Sequence, residues 1–219
     1  MTEPQSTMDI LRTNPVDEAL QARLHERLVK AAQAEGILDL AYRTVDSPIG
    51  TLLLAATDQG VVRVAFEREG EAAVLAGLAE RISPRILRSP ARLSMVAREL
   101  DEYFEGRRTR FDLPVDLRLA TGFRREVLTH LADIGYGHTA SYATVAATTT
   151  SPRAVRAVGS ACATNPVPLL VPCHRVVRSD GSPGRYAGGE EAKLALLALE
   201  SRTRPTTDPQ PASGQPRKA

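Results

Sequence analysis

The 219-residue chain lacks the features that mark secreted, disulfide-bonded and membrane proteins. Its two cysteines, Cys162 and Cys173, are too few for a disulfide framework, and no Cys/His spacing suits a structural zinc site. No window approaches about 18 consecutive apolar residues, and residues 1–6 lack the basic-then-apolar order of a secretory signal. We therefore expect no membrane span, and we expect a protein of the reducing cytoplasm, where a free thiol persists.

The net charge of +2 is too small to indicate a nucleic-acid-binding protein by itself. Its distribution is more informative. Residues 122–178 contain six arginines and two acids, a net charge of +4, whereas residues 1–40 contain four basic and seven acidic residues, a net charge of −3. This asymmetry favours a phosphate-facing surface in the second half of the chain.

Residues 1–39 are predicted to form an extension that carries one amphipathic helix. Asn14-Pro15 has the pattern of a helix start, with a capping side chain before a first-position proline, and Asp17-Glu18 place acids in the first turn. Gly36 is a natural stop. Apolar residues recur at helical spacing at Leu20, Leu24, Leu28 and Ala31. We expect this face to pack on the rest of the chain; the alternative is an arm that binds a partner.

Residues 40–115 predict a small α/β or α+β domain in which we find no chemistry. Strand patterns cover residues 41–45, 50–56 and 61–66, with Asp58-Gln59-Gly60 as a hairpin turn, and residues 85–87 are a further candidate strand. Helical periodicity covers residues 71–82 and 91–104. Its apolar positions are Val74, Leu75, Leu78 and Ile82, then Leu93, Val96, Leu100 and Phe104. Residues 112–115 are a predicted linker.

Residues 116–200 predict a mostly helical second domain. Thr121-Gly122 opens a helix over residues 123–134, and two short helices follow over residues 142–148 and 152–163. Ser151-Pro152 supplies a cap and a first-position proline for the last of these. Two short helices joined by a tight polar turn are typical of a helix-turn-helix. Residues 201–219 contain four prolines and few apolar side chains, which predicts a disordered tail.

A cysteine and a histidine stand side by side at Cys173-His174, after a run rich in proline. A thiol becomes an effective nucleophile as the thiolate, which an adjacent base or cation favours. Neighbouring side chains of an extended segment point in opposite directions, so the pair works together only where the backbone turns or a water bridges it. Considered alone, these residues leave open a second interpretation, an inert buried cysteine beside a structural histidine.

Several sequence blocks follow one another in an order that is specific to one family. They are SPIGTL at 47–52, SY at 141–142, RAVRAVG at 153–159, NPVP at 165–168, VPCHRVV at 171–177 and GRYAGG at 184–189. Together they resemble the O6-alkylguanine-DNA alkyltransferases, also called methylated-DNA–protein-cysteine methyltransferases. The resemblance covers residues 122–200, extends more weakly into the first domain and leaves out residues 1–40. It implies an α/β plus α fold, with a small ribonuclease-H-like α/β domain before a mostly helical, winged-helix-like catalytic domain.

The resemblance also implies a reaction. Cys173 would take the alkyl group of O6-alkylguanine, or of O4-alkylthymine, in a direct stoichiometric transfer that inactivates the protein. His174 would act through a water as general base, oriented by Glu200, and Tyr142 would donate a hydrogen bond to the departing base. No cofactor and no metal are implied. The zinc ligands that some relatives carry in the first domain are absent, because no cysteine precedes Cys162, which we interpret as a packing residue.

A base stacked in a duplex is out of reach of such chemistry, so the resemblance implies a flipped nucleotide and minor-groove binding. Arg156 would fill the place that the base leaves, next to Arg153, and the small residues Ala154 and Ala157 would allow close approach. Asn165 would act as the hinge between the recognition helix and the cysteine turn.

The implied pocket residues lie around the cysteine turn and the following loop. Ala187 replaces a serine of some relatives, so that only its backbone N–H could reach O6. The full set is Val176, Tyr186, Ala187, Gly188 and Lys193.

The expected partner is double-stranded DNA that contains O6-alkylguanine, bound by a monomer. Two alternatives belong to other functional classes. A lesion sensor would flip the damaged base without repairing it, but relatives of that kind lack the cysteine. A Cys-His-Glu acyl-transfer hydrolase would turn over repeatedly and would not respond to DNA.

Overall fold

The computed structural model describes residues 18–202, and its first element is helix α1 (Glu18–Ala34). The predicted helix start at Asn14-Pro15 lies outside the described residues. The helix packs on the first domain, as predicted, but the predicted contact face is wrong. Val29 and Ala32 are buried with Leu38. The predicted apolar positions are exposed, with exposed fractions of 50% for Leu20, 52% for Leu24 and 53% for Leu28, and Ala31 is exposed as well.

The cause is helix geometry. Leu28 and Val29 point about 100° apart around the helix axis, so a helix that buries Val29 leaves the leucine face to solvent. Ala32, three residues after Val29, lies on the same side of the helix and is buried with it. A hydrogen bond of 2.5 Å between His25 Nε2 and the carbonyl oxygen of Arg88 fixes the docked helix.

We predict that Val29→Ala lowers the free energy of unfolding by about 1–2 kcal/mol, because two buried methyl groups are removed. Leu28→Ala should change it by less than about 0.5 kcal/mol, since the side chain is half exposed. Chemical denaturation of both variants measures the difference. A larger loss for Leu28→Ala would mean that the leucine face is the docked one.

The first domain is built on a four-stranded mixed sheet in the order β3-β2-β1-β4. The strands are β1 (Leu40–Val45), β2 (Leu52–Thr57), β3 (Gly60–Phe66) and β4 (Ile86–Arg88). The first three are antiparallel neighbours, and β4 pairs in parallel with β1. Helix α2 (Glu71–Arg81) precedes β4 and helix α3 (Ser94–Phe104) follows it. The four predicted strands and both helices are confirmed, although α3 begins three residues later than predicted because residues 90–93 form a turn.

The sheet is buried on both faces, which explains the continuous apolar run of β2. One face, with Leu53 and Val62, packs against Leu78 of α2. The other face, with Leu54 and Val64, belongs to a core that continues through α3 into the second domain. The two domains therefore share one hydrophobic core, and side chains of the first domain reach the interior of the second.

The predicted linker at residues 112–115 is held against the edge of the sheet. Val61 N donates to the carbonyl oxygen of Pro114, and Asp116 N donates to the carbonyl oxygen of Val61, both at 2.9 Å. Gly60 permits this close approach, since a Cβ there would lie 2.3 Å from the Pro114 oxygen, and its φ of +136° also favours glycine. The connection between the domains is thus fixed by backbone hydrogen bonds.

The second domain consists of four helices and a short parallel strand pair. The elements are α4 (Gly122–Leu131), β5 (Ala140–Ser141), α5 (Tyr142–Ala147), α6 (Val155–Ala163), β6 (Val176–Val177) and α7 (Glu190–Arg202). Helix α4 ends three residues earlier than predicted, because i→i+3 hydrogen bonds tighten the chain over residues 132–134. The predicted tail begins too early, since α7 includes Ser201 and Arg202. The rest of the predicted tail lies outside the described residues.

The predicted start of the second helix-turn-helix segment at Pro152 is wrong. Ala154 N donates to the carbonyl oxygen of Ser151 at 2.9 Å, which closes a turn at this point. Helix α6 consequently begins at Val155, with Ala154 as an N-cap that makes no side-chain capping bond. The proline rigidifies the turn before the helix and does not initiate the helix itself.

Candidate active site

The backbone turns at the Cys-His pair, as a joint role of the two side chains requires. Residues Cys173–Arg175 form one turn of 3-10 helix after Pro172. Cys173 is 1% exposed and His174 is fully buried. The turn places the sulfur and the imidazole in the interior of the second domain, where neighbouring groups control their protonation.

Asn165 connects the end of α6 to the cysteine turn. Its Nδ2 donates to the carbonyl oxygen of Val171 at 2.9 Å and to Cys173 Sγ at 3.2 Å. Its Oδ1 accepts from the backbone N–H of Val167 at 3.0 Å. Inside this loop Leu169 has a φ of +75°, a left-handed conformation that costs a non-glycine residue about 1–2 kcal/mol. The hydrogen bonds of Asn165 and the burial of Leu169 offset that cost and hold the loop in one shape.

Glu200, on the last helix, holds the imidazole. Its Oε1 lies 2.8 Å from His174 Nε2. The carboxylate also accepts from the hydroxyl of Tyr103 at 2.8 Å, from Arg175 Nε and Nη2 at 2.9 Å each, and from the backbone N–H of Gly137 at 3.0 Å. Burial alone would raise the pKa of Glu200, but the hydrogen bonds from His174 and Arg175 outweigh it and lower the pKa from its ordinary 4.5 to about 2. The group is therefore an ionised acceptor at neutral pH.

The reacting groups are uncharged in this resting state. Burial raises the pKa of the Cys173 thiol to about 11, and the hydrogen bond from Asn165 and the charge of Lys193 offset only part of the rise. Burial lowers the pKa of His174, and this effect exceeds the opposing hydrogen bond to Glu200. Since Nε2–H donates to the carboxylate, Nδ1 carries the free lone pair. Among residues 18–202, Nδ1 is buried and has no hydrogen-bond partner. A neutral base with a free acceptor atom thus stands beside a protonated thiol.

Tyr142 and Lys193 are neighbours beside the strand that follows the cysteine turn. Lys193 is fully buried; its Nζ donates to the carbonyl oxygen of Val176 at 2.5 Å and lies 6.0 Å from the centroid of the Tyr142 ring. Burial raises the pKa of the Tyr142 hydroxyl, which keeps it a proton donor at neutral pH. Gly184 packs directly on this hydroxyl, because a Cβ there would lie 2.0 Å from the oxygen.

The loop of residues 183–188 covers the site. Tyr186 is buried and makes edge-to-face contacts with Phe66 at 5.4 Å and with His174 at 6.3 Å, and within the described part of the chain its hydroxyl has no hydrogen-bond partner. Gly188 lies on the Phe66 ring, since a Cβ there would be 2.6 Å from a ring carbon. Ala187 is half-buried and lines a crevice of about 500 Å³ between the domains. The loop therefore rests on a strand of the first domain.

The predicted DNA-binding residues lie apart from the cysteine cluster, at the start of α6. Arg153, Arg156 and Ala157 are exposed, and Ala154 is half-buried. Helix α6 packs on α5 through Val158 and Cys162 in the core. Burial raises the pKa of the Cys162 thiol to about 12, which agrees with a packing role. The helix pair thus presents two arginines and two small residues to the outside.

Three contributors to the site were missed by the sequence interpretation: Tyr103, Arg175 and Gly137. Tyr103 lies three residues after Leu100, so helical periodicity places it on the buried face of α3. It is 1% exposed, whereas the predicted Phe104 is only partly buried. Nothing in the sequence indicates that its hydroxyl meets a carboxylate 97 residues further along the chain.

Neither metal-binding nor membrane-spanning features occur in the part of the chain that the structure describes. Residues 18–202 contain no group of three or more His, Cys, Asp or Glu side chains arranged to hold a metal ion. No helix in this range is long and apolar enough to cross a bilayer.

The fold and the site define a two-domain protein in which a helical domain presents a Cys-His-Glu cluster against a supporting α/β domain. Residues 40–117 match the family model for the ribonuclease-like domain of 6-O-methylguanine DNA methyltransferase, and residues 122–202 match the model for its DNA-binding domain. The chain belongs to the methylated-DNA–protein-cysteine methyltransferase family. This confirms the predicted ribonuclease-like α/β domain followed by a helical DNA-binding domain.

Individual relatives support the assignment. The methylated-DNA–protein-cysteine methyltransferase of Mycolicibacterium paratuberculosis is 38% identical over 168 residues, which are 77% of this chain and 96% of that protein. The crystal structure of Mycobacterium tuberculosis O6-methylguanine methyltransferase is similar with a TM-score of 0.67 at 36% identity, over 76% of this chain and 96% of that one. A crystal structure of M. tuberculosis OGT in complex with DNA is similar with a TM-score of 0.66 at 37% identity and the same coverage.

Proposed function

We propose that the chain repairs DNA by transferring the methyl group of O6-methylguanine, and that of O4-methylthymine, to its own Cys173, once per molecule. The observation that carries the proposal is the buried Cys173 thiol next to a neutral His174, whose Nε2 lies 2.8 Å from Glu200. This is the arrangement that activates a sulfur nucleophile without a cofactor. In this proposal residues 116–200 carry out the transfer, residues 40–115 support them and residues 1–39 are an extension.

The reaction starts with a proton transfer. The Cys173 thiol gives its proton through a water to His174 Nδ1, and Glu200 stabilises the imidazolium that forms. The thiolate then attacks the methyl carbon. An S–C bond forms, the C–O6 bond breaks and its electron pair stays on the guanine. The guanine accepts a proton from water as it leaves, and the imidazolium returns the thiol proton to water. The Tyr142 hydroxyl donates a hydrogen bond to the base while this charge develops. Because the thioether is stable, the molecule reacts once.

Access to the sulfur requires the base to leave the duplex. Cys173 is 1% exposed, and Gly184 lies against the Tyr142 hydroxyl, so Tyr142 and the loop of residues 183–188 must separate to admit the base. We propose that α6 binds in the minor groove, where Ala154 and Ala157 permit close approach and Arg156 takes the place of the extruded base. The Asn165 hydrogen bonds transmit the position of α6 to the cysteine turn.

We further propose that the protein acts as a monomer in the cytoplasm. The residues of the proposed site all come from a single chain, so no second copy is needed to complete it. Both cysteines are free thiols, which suits a reducing compartment.

Incubation with duplex DNA containing O6-methylguanine, followed by peptide mass analysis, tests the function. We expect a mass increase of one methyl group on the peptide that contains Cys173, up to one methyl per protein molecule. A parallel duplex with O4-methylthymine tests the second substrate. Repeated turnover would contradict a single-use transferase and would favour a hydrolase. No transfer from DNA would also contradict it and would favour a lesion sensor.

Arg156→Ala should slow repair in duplex DNA by about tenfold or more, because the extruded base can return to an unfilled stack. Methyl transfer from free O6-methylguanine base should change much less, since this substrate needs no flipping. Single-turnover rates on both substrates measure the effect, and Arg125→Ala, an exposed arginine on α4, serves as the matched charge control. Equal losses on the two substrates would rule out the proposed role of Arg156.

A further inference from the structure

We infer that Tyr103, a side chain of the first domain, is a positioning residue of the alkyl-transfer site. Its hydroxyl donates to Glu200 Oε1 at 2.8 Å, and this same oxygen lies 2.8 Å from His174 Nε2. The inference deepens the proposed function and rests on it. It assigns to the α/β domain a direct part in setting the general base, in addition to support of the catalytic domain.

The position of the hydroxyl is determined by packing. Tyr103 is 1% exposed, and three aromatic rings surround it with centroid distances of 5.3–6.0 Å, those of Phe104, Phe111 and Tyr136. A ring enclosed in this way has one accessible rotamer, so its oxygen presents the hydrogen bond at a fixed point. The hydroxyl is therefore a rigid donor. Elsewhere on helix α3, Glu99 pairs with Arg108 at 3.2 Å and accepts from the backbone N–H of Asp112 at 3.0 Å, and it makes neither of these contacts with the site.

The rigid donor constrains the carboxylate that orients the imidazole. Arg175 binds both oxygens of Glu200, but of these two oxygens Tyr103 contacts only Oε1, and the Tyr103 hydroxyl also lies 3.5 Å from His174 Nε2. This one-sided contact keeps Oε1 directed at Nε2 and leaves Nδ1, which is buried without a hydrogen-bond partner among residues 18–202, as the free acceptor of the ring. It also disperses negative charge on Oε1 that would otherwise stabilise an imidazolium before substrate arrives. The hydroxyl thus favours the neutral imidazole, the form that can accept the thiol proton.

Removal of the Tyr103 hydroxyl is consequently expected to change the pH dependence of methyl transfer as well as its rate. Without the hydroxyl, Oε1 carries more charge, the pKa of His174 rises, and the imidazole is protonated over a wider acidic range. The other titratable groups that face His174 and Glu200 stay in place in such a variant. They are Arg175 on the same turn, Lys193 on α7, Tyr186 on the covering loop, Tyr136 before β5 and the Cys173 thiol.

The test compares Tyr103→Phe with Glu99→Gln, which weakens an anchor of the same helix without touching the site. Single-turnover methyl transfer from duplex DNA is measured from pH 5.5 to 9, together with thermal unfolding of each protein. We expect Tyr103→Phe to slow transfer about tenfold at pH 7, the effect of losing one hydrogen bond to a charged group, and to move the acid limb of the profile to higher pH. Glu99→Gln should lower the unfolding temperature and leave the acid limb unchanged.

The outcomes separate the inference from the function on which it rests. If the wild-type protein gains one methyl on Cys173 and Tyr103→Phe has an unchanged rate and pH profile, the positioning role is overturned and the repair function remains intact. If Glu99→Gln displaced the acid limb of the pH profile by the same amount, Tyr103 would have only a structural role. Wild-type protein that gains no methyl would overturn both. In each variant the final yield of methylated Cys173 shows that the folded protein still reacts once.

Discussion

We expect Cys173→Ala to reduce methyl transfer by on the order of 10³-fold or more, while the variant still binds duplex DNA that contains O6-methylguanine. In the proposed reaction the sulfur is the atom to which the methyl group is transferred, and alanine offers no lone pair in its place. The fold should survive, since removal of one buried sulfur atom costs on the order of 1 kcal/mol. Binding should persist because Arg153 before α6, Arg156 on α6 and the residues of the 183–188 loop are unaffected.

Transfer of an isotope-labelled methyl group from DNA and a gel-shift titration measure the two properties separately. Cys162→Ala is the matched control, because Cys162 is buried in the core and should accept no methyl group. Labelled protein from Cys173→Ala, or label found on Cys162, would show that Cys173 is not the acceptor. Loss of binding together with transfer would indicate that the cysteine turn contributes to DNA recognition.

Glu200→Gln slows methyl transfer by about 10²-fold and destabilises the protein by about 3–5 kcal/mol. The neutral amide cannot stabilise an imidazolium at His174, and its NH₂ group cannot accept the hydrogen bonds that one carboxylate oxygen now receives. Arg175, which is 7% exposed, loses its counter-charge in the interior. Single-turnover kinetics and chemical denaturation measure the two effects, with Glu191→Gln, at an exposed position of the same helix, as the control expected to change neither.

The same variant alters the pH dependence of stability. The pKa of Glu200 in the folded protein, about 2, lies below its ordinary value of 4.5, so its ionisation stabilises the fold above pH 4.5. This contribution, about 3 kcal/mol, is lost as the pH falls from 4.5 to about 2. Glu200→Gln should lack this part of the acid destabilisation. If the free energy of unfolding fell by the same amount in wild type and variant as the pH was lowered, the assigned ionisation of Glu200 would be contradicted.

Local patterns in the sequence were sufficient to predict most of the secondary structure of the first domain. The alternation and turn chemistry of residues 40–66 predicted three strands and their hairpin, because a short connection such as Asp58-Gln59-Gly60 between two apolar runs has few other solutions. Helical periodicity located the buried side of α2. The order of the motif blocks predicted the family, which the family models confirm.

Local patterns failed at two helix features. The leucine spacing of α1 predicted a docked face, but Val29 and Ala32 are the residues that pack with Leu38 and Leu87. Several faces of that helix satisfied the local preferences, and tertiary packing decided between them. The Ser151-Pro152 signal predicted a helix start, but the chain first closes a turn there with a hydrogen bond between Ala154 N and the carbonyl oxygen of Ser151.

The sequence by itself predicted the candidate reactive residues: a cysteine and a histidine adjacent in the chain and, through the family resemblance, a carboxylate on the last helix. The tertiary structure decided their state. A shared core brings Tyr103 from the first domain to Glu200 at 2.8 Å, Arg175 folds back on the same carboxylate, and burial keeps the thiol protonated and the imidazole neutral. Residue identity is local information, whereas burial and hydrogen-bond partners arise only when distant segments pack together, and these set the pKa values on which the chemistry depends.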